Sequence, residues 1–370
     1  MKINLEKDVD LESFMMHEHV VNGDVLTLIQ PKHIGAKWNK NNLHFRSSVW
    51  NHEDELISAS FPKFFNWGEQ PDLSPVPSTL KNCTVVEKLD GSTLIVSKYK
   101  GNFIFRTRGT VDAINAMANG HELEIFKTKI LPVLSNFYFI DSNETWKVSY
   151  LFEWVSPQNK IVINYGDEPD WTLVGIVHHK DYYLYTQIEL DNLAWQHGLK
   201  RPAKYTFTDV ADLLANVDAW KGKEGVVVYS HDDQNLHKVK GAWYLKLHFL
   251  KSELSNIEKV LDVWLNQGCP DYTTFYNYIF NTFDYELAEQ VRGKISTICD
   301  AYKEVNLIIN GMKSFVENKL KNLPSRKEQA MLVLSSYGNT NRASFLFKLL
   351  DGKQLEKDDI KKLIFQCIKK

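Results

Sequence analysis

The hydrophobic and polar positions of this chain follow two patterns, one on each side of Leu250. Before Leu250, short runs of β-branched and aromatic residues recur between turn residues, which predicts strands joined mainly by hairpins. A helix is predicted at residues 111–118, closed by Asn119-Gly120. The sparsity of crossover helices favours antiparallel sheets with helices, an α+β fold class. The predicted strands are residues 25–29, 84–86, 94–98, 103–106, 147–152, 160–165, 173–177, 225–229 and 243–247.

After Leu250 the apolar positions recur every three or four residues, as at Leu254, Ile257, Leu261 and Trp264. This spacing places them on one face of an amphipathic helix. The same periodicity runs through residues 276–309 and 312–320. We therefore expect two domains, an α+β domain at 1–249 and an all-helical domain at 250–370.

Charge is unevenly distributed along a chain whose formal net charge is only −2. Residues 305–370 contain thirteen Lys or Arg and six Asp or Glu, an excess of seven positive charges. This excess points to a polyanionic partner. A solvated helical face would explain it equally well.

Cysteine usage and hydropathy indicate the cellular setting. The four cysteines, at 83, 269, 299 and 367, are scattered without a C-x-x-C pair, which is typical of a reducing cytosol. The charged N-terminus does not resemble a signal peptide, and no apolar run reaches the length of a membrane span. We expect a cytoplasmic protein with no membrane partner.

The first candidate chemical motif is Lys88-Leu89-Asp90-Gly91, which lies between two predicted strands. A lysine at a strand end beside a tight turn can hold its amine in a pocket. Such an amine becomes a nucleophile when burial or nearby cations favour its neutral form. Taken alone, the tetrapeptide fits an exposed lysine before a hairpin better.

Other candidates lie further along the chain. Lys238 and Lys240 are two residues apart on a predicted strand, so they face the same side. Both could contact one polyphosphate, or both could face solvent. Glu153 and Glu224 interrupt apolar runs, where an unpaired carboxylate is costly, so each should bind a metal, a cation or a sugar hydroxyl. A salt bridge to a neighbouring lysine is the simpler explanation for each alone.

Upstream, Arg46 lies on a candidate strand and could bind phosphate in bidentate fashion. Lys63 and Phe65 follow in Pro62-Lys63-Phe64-Phe65-Asn66, where Phe65 could stack or simply pack. The common glycine-rich nucleotide loops, G-x-x-x-x-G-K-[ST] and G-x-G-x-x-G, do not occur in the sequence.

The order and spacing of these motifs resemble the covalent nucleotidyltransferase superfamily of polynucleotide ligases and capping enzymes. Within it, the sequence is most similar to the RNA ligase 1 family of T-even phages, which repairs tRNA. Phe152-Glu153-Trp154 with its flank looks like that family's third motif, and residues 238–244 look like its fifth. The resemblance covers roughly residues 40–250. Residues 1–249 would then form the adenylyltransferase domain, and the helical domain could recognise tRNA.

The resemblance implies a role for each matching residue. Lys88 would attack the ATP α-phosphate and become lysyl-AMP, with Lys238 and Lys240 contacting the α-phosphate and the outgoing pyrophosphate. Arg108 stands where the family has a lysine, so it keeps the charge but not the point-charge geometry. The remaining nucleotide-binding positions are Arg46, Lys63, Phe65, Gly91, Glu153, Glu224 and Tyr244, and the expected metal ligands are Glu153 and Glu224.

The resemblance also implies the reaction. ATP and Mg²⁺ would support transfer of AMP to Lys88, then to an RNA 5′-phosphate, and a 3′-hydroxyl would then seal the strand. The expected partner is RNA, with nicked tRNA as the implied substrate, and we expect a monomer. If the chain is encoded by a phage, its location would be the cytoplasm of the bacterial host.

Two alternatives remain open at this point. A DNA ligase or an mRNA capping enzyme would share the motifs, but these enzymes usually carry a β-rich OB domain where this chain has a helical pattern. A binding protein with a degenerate ligase-like core would bind RNA without covalent chemistry, although the retained lysines and glutamates argue against it.

Overall fold

The computed structural model divides into two compact units, Met1–His248 and Phe249–Lys370. It describes residues 1–370 except 2, 33–34, 118–119, 136–146, 233, 255, 283–284, 339, 341 and 369–370. At 135, 249–253, 282, 285–287 and 290 only the backbone is described. Within these described residues, no helix is both long enough and apolar enough to cross a membrane.

The first unit contains thirteen described strands in three sheets. The strands are β1 (Phe14–Val21), β2 (Asp24–Pro31), β3 (Ser48–Trp50), β4 (Leu56–Ala59), β5 (Phe65–Asn66), β6 (Cys83–Lys88), β7 (Ser92–Tyr99), β8 (Asn102–Arg106), β9 (Val148–Val155), β10 (Asp170–His178), β11 (Lys204–Tyr205), β12 (Gly225–Ser230) and β13 (Leu236–Lys240). Their orders in the sheets are β1-β2-β3-β4, β10-β9-β7-β8 and β11-β6-β12-β13-β5. Neighbouring strands are antiparallel except β13 and β5, which pair in parallel over two residues. The predicted antiparallel sheets with helices are thus confirmed.

Among the described helices, α4 (Gln187–His197) packs against β10, and α5 (Val210–Ala219) packs against β13. The helix α4 begins with a capping box, in which the Thr186 hydroxyl accepts from the Glu189 N–H and the Glu189 carboxylate accepts from the Thr186 N–H, as expected of a stable helix start. The helices are α1 (Leu5–Asp8), α2 (His121–Lys129), α3 (Leu131–Ser135), α4 (Gln187–His197), α5 (Val210–Ala219) and α6 (Ala242–Glu253), with a 3-10 helix at Leu43–Arg46.

In the second unit the described regular elements are helical. They continue from the end of α6 through α7 (Ile257–Asn266), α8 (Tyr272–Thr282), α9 (Tyr285–Phe315) with a π-helical turn at Val316–Leu320, α10 (Arg326–Tyr337), α11 (Arg342–Leu350) and α12 (Lys357–Ile368). Their apolar faces share one core, which includes Val260, Trp264, Phe275 and Ile295.

The three sheets share a hydrophobic core. Ile29 and Trp50 come from the first sheet, Ile95 and Leu151 from the second, and Val86 with Val227 from the five-stranded sheet. Side chains alternate between the two faces of a strand, so every second residue beyond these positions faces the same interior. This alternation decides which side chains meet at the candidate site.

Several local predictions were wrong. Residues 160–165 form a bend and coil, because the backbone N–H groups of Val162 and Ile163 bind a side chain in preference to a neighbouring strand. Residues 243–247 lie in α6, and Arg46 lies in a 3-10 helix. The predicted helix at 111–118 is a turn at 114–117, and its last residue lies outside the described residues.

Candidate active site

The candidate site lies where the shared core ends and the same strand faces become polar. On β6 the interior position after Val86 is Lys88, and on β13 the positions after Leu236 are Lys238 and Lys240. On β9 the interior position after Leu151 is Glu153. Because side chains alternate along a strand, these lysines and Glu153 lie on the same strand faces as the core residues that precede them.

Two lysines bind one buried carboxylate. The Glu224 side chain is 3% exposed, and its Oε2 and Oε1 lie 2.9 Å from Lys88 Nζ and 2.9 Å from Lys240 Nζ respectively. The strand register explains the arrangement, because Gly225 pairs with Lys88 on one side and with Lys240 on the other. A buried carboxylate needs such partners, and here it holds two amines in fixed positions.

Gly225 allows this close register. Its φ is 150°, and an added Cβ would lie 2.0 Å from the carbonyl oxygen of Val239. Any side chain at this position would force β12 and β13 apart. The glycine therefore keeps Glu224 between the two lysines.

Lys238 has different surroundings from Lys240, although they are two residues apart on one strand. Its amine lies 5.0 Å from the centroid of the Phe64 ring. Burial, followed by the charges of Arg46 and Lys63, lowers the pKa of Lys238 to about 7. Both effects disfavour the charged amine, so an anionic ligand here would restore the proton.

Arg46 and Lys63 extend this positive group. The Arg46 guanidinium lies 4.9 Å from the Phe64 ring centroid, and burial, then Arg108, lowers its pKa to about 10. The Lys63 amine lies 5.1 Å from the Phe65 centroid, and burial lowers its pKa as well. Several cations are thus held on aromatic faces.

Glu153 comes from β9, in the sheet with order β10-β9-β7-β8, whereas Lys88 comes from the five-stranded sheet. Its Oε1 accepts a 3.2 Å hydrogen bond from the Gly91 N–H, and its Oε2 accepts one of 3.4 Å from the Thr93 hydroxyl. Burial raises the pKa of Glu153 to about 7, opposed by Lys88 and reinforced by Glu224. Gly91 permits the contact, because an added Cβ would lie 2.4 Å from the carbonyl oxygen of Trp154.

Asp90 is a structural centre that the sequence interpretation missed. Its buried carboxylate accepts the Tyr244 hydroxyl at 2.6 Å and the N–H groups of Val162 and Ile163 at 2.7 and 2.9 Å. Asp90 thus ties the turn after Lys88 to α6 and to the backbone at Val162 and Ile163. Tyr244 supports the position of Lys88 through its hydrogen bond to Asp90. The available signal was an Asp beside an apolar run, which we interpreted only as a turn residue.

The structure brings most of the predicted residues to one cavity of about 560 Å³. Phe64, which the sequence interpretation did not select, also lines it, whereas Phe65 is buried behind Lys63. The described lining of this cavity does not include Lys63, Glu224 or Tyr244, and Lys63 lines a neighbouring cavity instead. The predicted residues that line it are Arg46, Lys88, Gly91, Arg108, Glu153, Lys238 and Lys240.

The cavity suits a polyanionic nucleotide better than a bare metal ion. Five of its lining side chains are cationic, and Glu153 is the acidic one among those described. Among the residues that the structure describes, no group of three or more His, Cys, Asp or Glu could hold a metal ion. A larger cavity of about 930 Å³ in the second unit has both acids and bases in its lining and no comparable excess of cations.

Known proteins of similar sequence agree with this chemistry. The chain is 27% identical over 344 residues to an RNA ligase of Rhodothermus phage RM378, covering 70% of this chain and 76% of the phage protein. It is 27% identical over 240 residues, 60% of this chain, to a protein of Autographa californica nuclear polyhedrosis virus with the provisional name bifunctional polynucleotide kinase/RNA ligase. The chain spans only 33% of the length of that viral protein.

A solved structure and a family model complete the comparison. An archaeal ATP-dependent RNA ligase has 12% sequence identity and a TM-score of 0.41, over 76% of this chain and 72% of its own; at that score the likeness adds nothing to the assignment. The family model described as RNA ligase matches residues 43–254, more than half of the chain. This span also contains every named residue that lines the 560 Å³ cavity. Because the model matches more than half of the chain, the chain belongs to the RNA ligase family.

Proposed function

We propose that this chain is an ATP-dependent RNA ligase whose nucleophile is Lys88. The observation that carries the proposal is the amine of Lys88 at a cavity lined by four other cations, with Glu224 fixing that amine and Lys240 together. Such a site can bind a triphosphate and place a lysine beside its α-phosphorus. Residues 1–249 would form the adenylyltransferase domain.

In the first step the Lys88 amine attacks the α-phosphorus of ATP, a P–N bond forms, the bond from that phosphorus to the bridging oxygen breaks, and pyrophosphate leaves. An amine attacks only when its lone pair is free. Glu224 Oε2, 2.9 Å away, orients the amine and accepts the proton that the amine loses. The products are lysyl-AMP and pyrophosphate.

The cations of the cavity neutralise the charge that this transfer moves. Lys238 and Lys240 would contact the α-phosphate and the departing pyrophosphate. Arg46 and Arg108 of the same cavity, with Lys63 beside them, would hold the outer phosphates. Phosphoryl transfer depends mainly on such positioning and charge stabilisation. Fixed cations on aromatic faces need little reorganisation when the negative charge shifts.

Magnesium is the metal we infer, and Glu153 is the residue that fits it best. Burial has raised the pKa of Glu153 to about 7, which indicates a carboxylate short of positive partners. Magnesium takes one or two carboxylates with phosphate oxygens and water, and when bound it would supply further charge neutralisation. Glu224 could contribute once its lysines engage phosphate, since both of its oxygens are bound to them here.

The RNA steps and the substrate are also part of the proposal. AMP passes from Lys88 to an RNA 5′-phosphate, and a 3′-hydroxyl then attacks and releases AMP. We infer a monomer that acts in the cytoplasm on nicked tRNA, with residues 250–370 recognising it. The positive excess after Val305 supports that role.

The tRNA assignment is tested by replacing exposed lysines Lys319, Lys327 and Lys353 together with glutamine. Sealing of nicked tRNA should fall about 10-fold or more in 0.15 M salt, while joining of a short linear RNA changes less, because fewer phosphates lie near the helical region. Equal losses on both substrates would remove the proposed recognition role.

The central test is covalent. Incubation with ATP and Mg²⁺ should add the mass of one AMP to the intact protein, and Lys88→Ala should abolish the adduct. Lys81→Ala, at an exposed lysine shortly before the same strand, is the matched control and should keep it. The same assay with GTP separates a ligase from a capping enzyme. Absence of an adduct on the natural chain, or its presence on Lys88→Ala, contradicts the proposal.

A further inference from the structure

A second cavity, of about 380 Å³, adjoins the nucleotide cavity. The two share Arg46 and Arg108 as a common wall. Lys32, Lys63 and Trp38 also line the second cavity, and the described lining includes four cations and no carboxylate. Its volume lies within the range of small-ligand pockets, and its charge selects an anion.

Lys32 and Trp38 come from a segment that precedes the RNA ligase match at residue 43. The Lys32 N–H donates to the Ser13 carbonyl at 3.0 Å. The Trp38 ring packs edge-on against Phe14, with ring centroids 5.3 Å apart, and the Lys63 amine lies 5.6 Å from its centroid. These contacts hold Lys32 and Trp38 individually, and they place the Trp38 ring beside the Lys63 amine.

The stereochemistry of the proposed reaction indicates what must enter here. In an in-line transfer, the attacking and leaving groups occupy opposite sides of the phosphorus. Lys88 takes one side in the first step, so pyrophosphate leaves from the other. When lysyl-AMP reacts, Lys88 is the leaving group, and the RNA 5′-phosphate must approach from the side that pyrophosphate vacated.

We propose that the second cavity receives the 5′-phosphorylated end of the RNA strand, an inference that rests on the proposed function. Arg46, Lys63 and Arg108 hold the terminal phosphate. An oxygen of that phosphate bonds to the α-phosphorus, the P–N bond breaks, and its electron pair returns to the Lys88 amine, which takes a proton from water.

The remaining two side chains bind the rest of the terminal nucleotide. Lys32 contacts the next phosphodiester as a point charge, and Trp38 packs against the terminal nucleoside. Aromatic packing of this kind tolerates any base, because each base has a π-face. The cavity thus selects a phosphorylated end without selecting a sequence.

The test isolates the second step. Lysyl-AMP enzyme is purified free of ATP and pyrophosphate, and its single-turnover transfer to a 5′-phosphorylated RNA 10-mer is followed at increasing RNA concentration. Lys32→Ala and Trp38→Ala should each raise the half-saturating RNA concentration about 10-fold. The same variants should change the rate of lysyl-AMP formation by a smaller factor. Trp38→Phe should recover most of the loss, because it keeps an aromatic face.

Lys37→Ala is the matched control, because Lys37 is an exposed lysine of the same segment and does not line the cavity. It should leave transfer unchanged. An equal defect in Lys37→Ala would make the effect one of general charge and overturn the proposal. A defect in lysyl-AMP formation at limiting ATP with normal transfer would also overturn it and assign the cavity to the ATP polyphosphate.

Direct binding separates this inference from the proposed function. If the natural chain forms no lysyl-AMP, the proposed function fails, and the cavity is then tested on Lys88→Ala with fluorescent RNA. Anisotropy should show tighter binding of the 5′-phosphorylated 10-mer than of its 5′-hydroxyl twin. Lys63→Ala, which removes a cation assigned to the terminal phosphate, should reduce that preference, whereas Lys32→Ala should weaken the binding of both RNAs alike. Equal binding of the two RNAs overturns the inference.

Discussion

Lys238 and Lys240 occupy the same strand face two residues apart, yet their surroundings differ in one essential way. Lys240 contacts a buried carboxylate shared with Lys88, whereas Lys238 lies among other cations over an aromatic ring. The carboxylate fixes the amines of Lys240 and of Lys88, the proposed nucleophile. Around Lys238 the positive charges exceed the negative ones, and the phosphates of a nucleotide would supply the negative charge that balances them. The excess of positive charge is therefore a feature of a binding site.

The most severe way to break this comparison is to remove its carboxylate. Glu224→Gln keeps the shape but leaves Lys88 and Lys240 without their anionic partner, so lysyl-AMP formation should fall about 1000-fold, since displaced reactive groups lose in-line geometry. Quench-flow with labelled ATP measures the rate. Glu168→Gln, at an exposed glutamate, is the control and should leave the rate unchanged. A loss below 10-fold for Glu224→Gln would show that this carboxylate does not orient the Lys88 amine.

Stability should distinguish the two lysines directly. Lys238→Met removes a buried cation from a positive cluster and should stabilise the fold, whereas Lys240→Met strips a donor from buried Glu224 and should destabilise it. Each change should be about 1 to 3 kcal/mol, in opposite directions. Thermal unfolding at pH 7 without nucleotide measures both, and shifts of the same sign would show that the distinction is wrong.

The pH dependence sharpens the comparison. Burial lowers the pKa of Lys238 to about 7 and raises the pKa of Glu153 to about 7, so Lys238 loses its proton above pH 7 and Glu153 gains one below it. If the charged forms bind nucleotide and metal, kcat/KM for lysyl-AMP formation should peak near pH 7 and fall by up to about 10-fold per unit on either side. Lys238→Arg should remove the alkaline fall alone, and an unchanged alkaline fall in that variant would assign it to another group.

The smallest expected effect concerns Tyr244, which acts through Asp90. Tyr244→Phe removes one hydrogen bond of 2.6 Å to a carboxylate that keeps its two backbone partners, so lysyl-AMP formation should fall only about 5-fold. Asp90→Asn disturbs all three bonds and should cost more. The reverse order in the same rate assay would place Tyr244 in direct contact with the nucleotide.

The sequence predicted the features that depend on local periodicity. The i, i+2 spacing of Lys238 and Lys240 put them on one face, and the short β-rich runs gave most of the strands. It failed where a distant side chain decides the backbone. Residues 160–165 look like a strand, but Asp90 takes the N–H groups of Val162 and Ile163 that a neighbouring strand would need.

Residues 243–247 failed for a related reason. Aromatic and apolar side chains there suit a strand, but the chain turns into α6 directly after β13, and this turn places Tyr244 over Asp90. The ion pairs of Glu224 with Lys88 and Lys240 could not be predicted from the sequence either, because they depend on the register of β12 between β6 and β13. Spacing along one strand carries no information about register between strands.

The connection that carries Lys88 has one further consequence. The strands β6 and β7 belong to different sheets, and Leu89, Asp90 and Gly91 are the whole link between them. A single inserted residue would turn every side chain of β7 to the opposite face. The chain can therefore vary in length at a hairpin tip such as Lys100-Gly101, but not between Lys88 and Ser92. An unchanged number of residues between Lys88 and Ser92 would thus distinguish functional copies of this enzyme from inactivated ones.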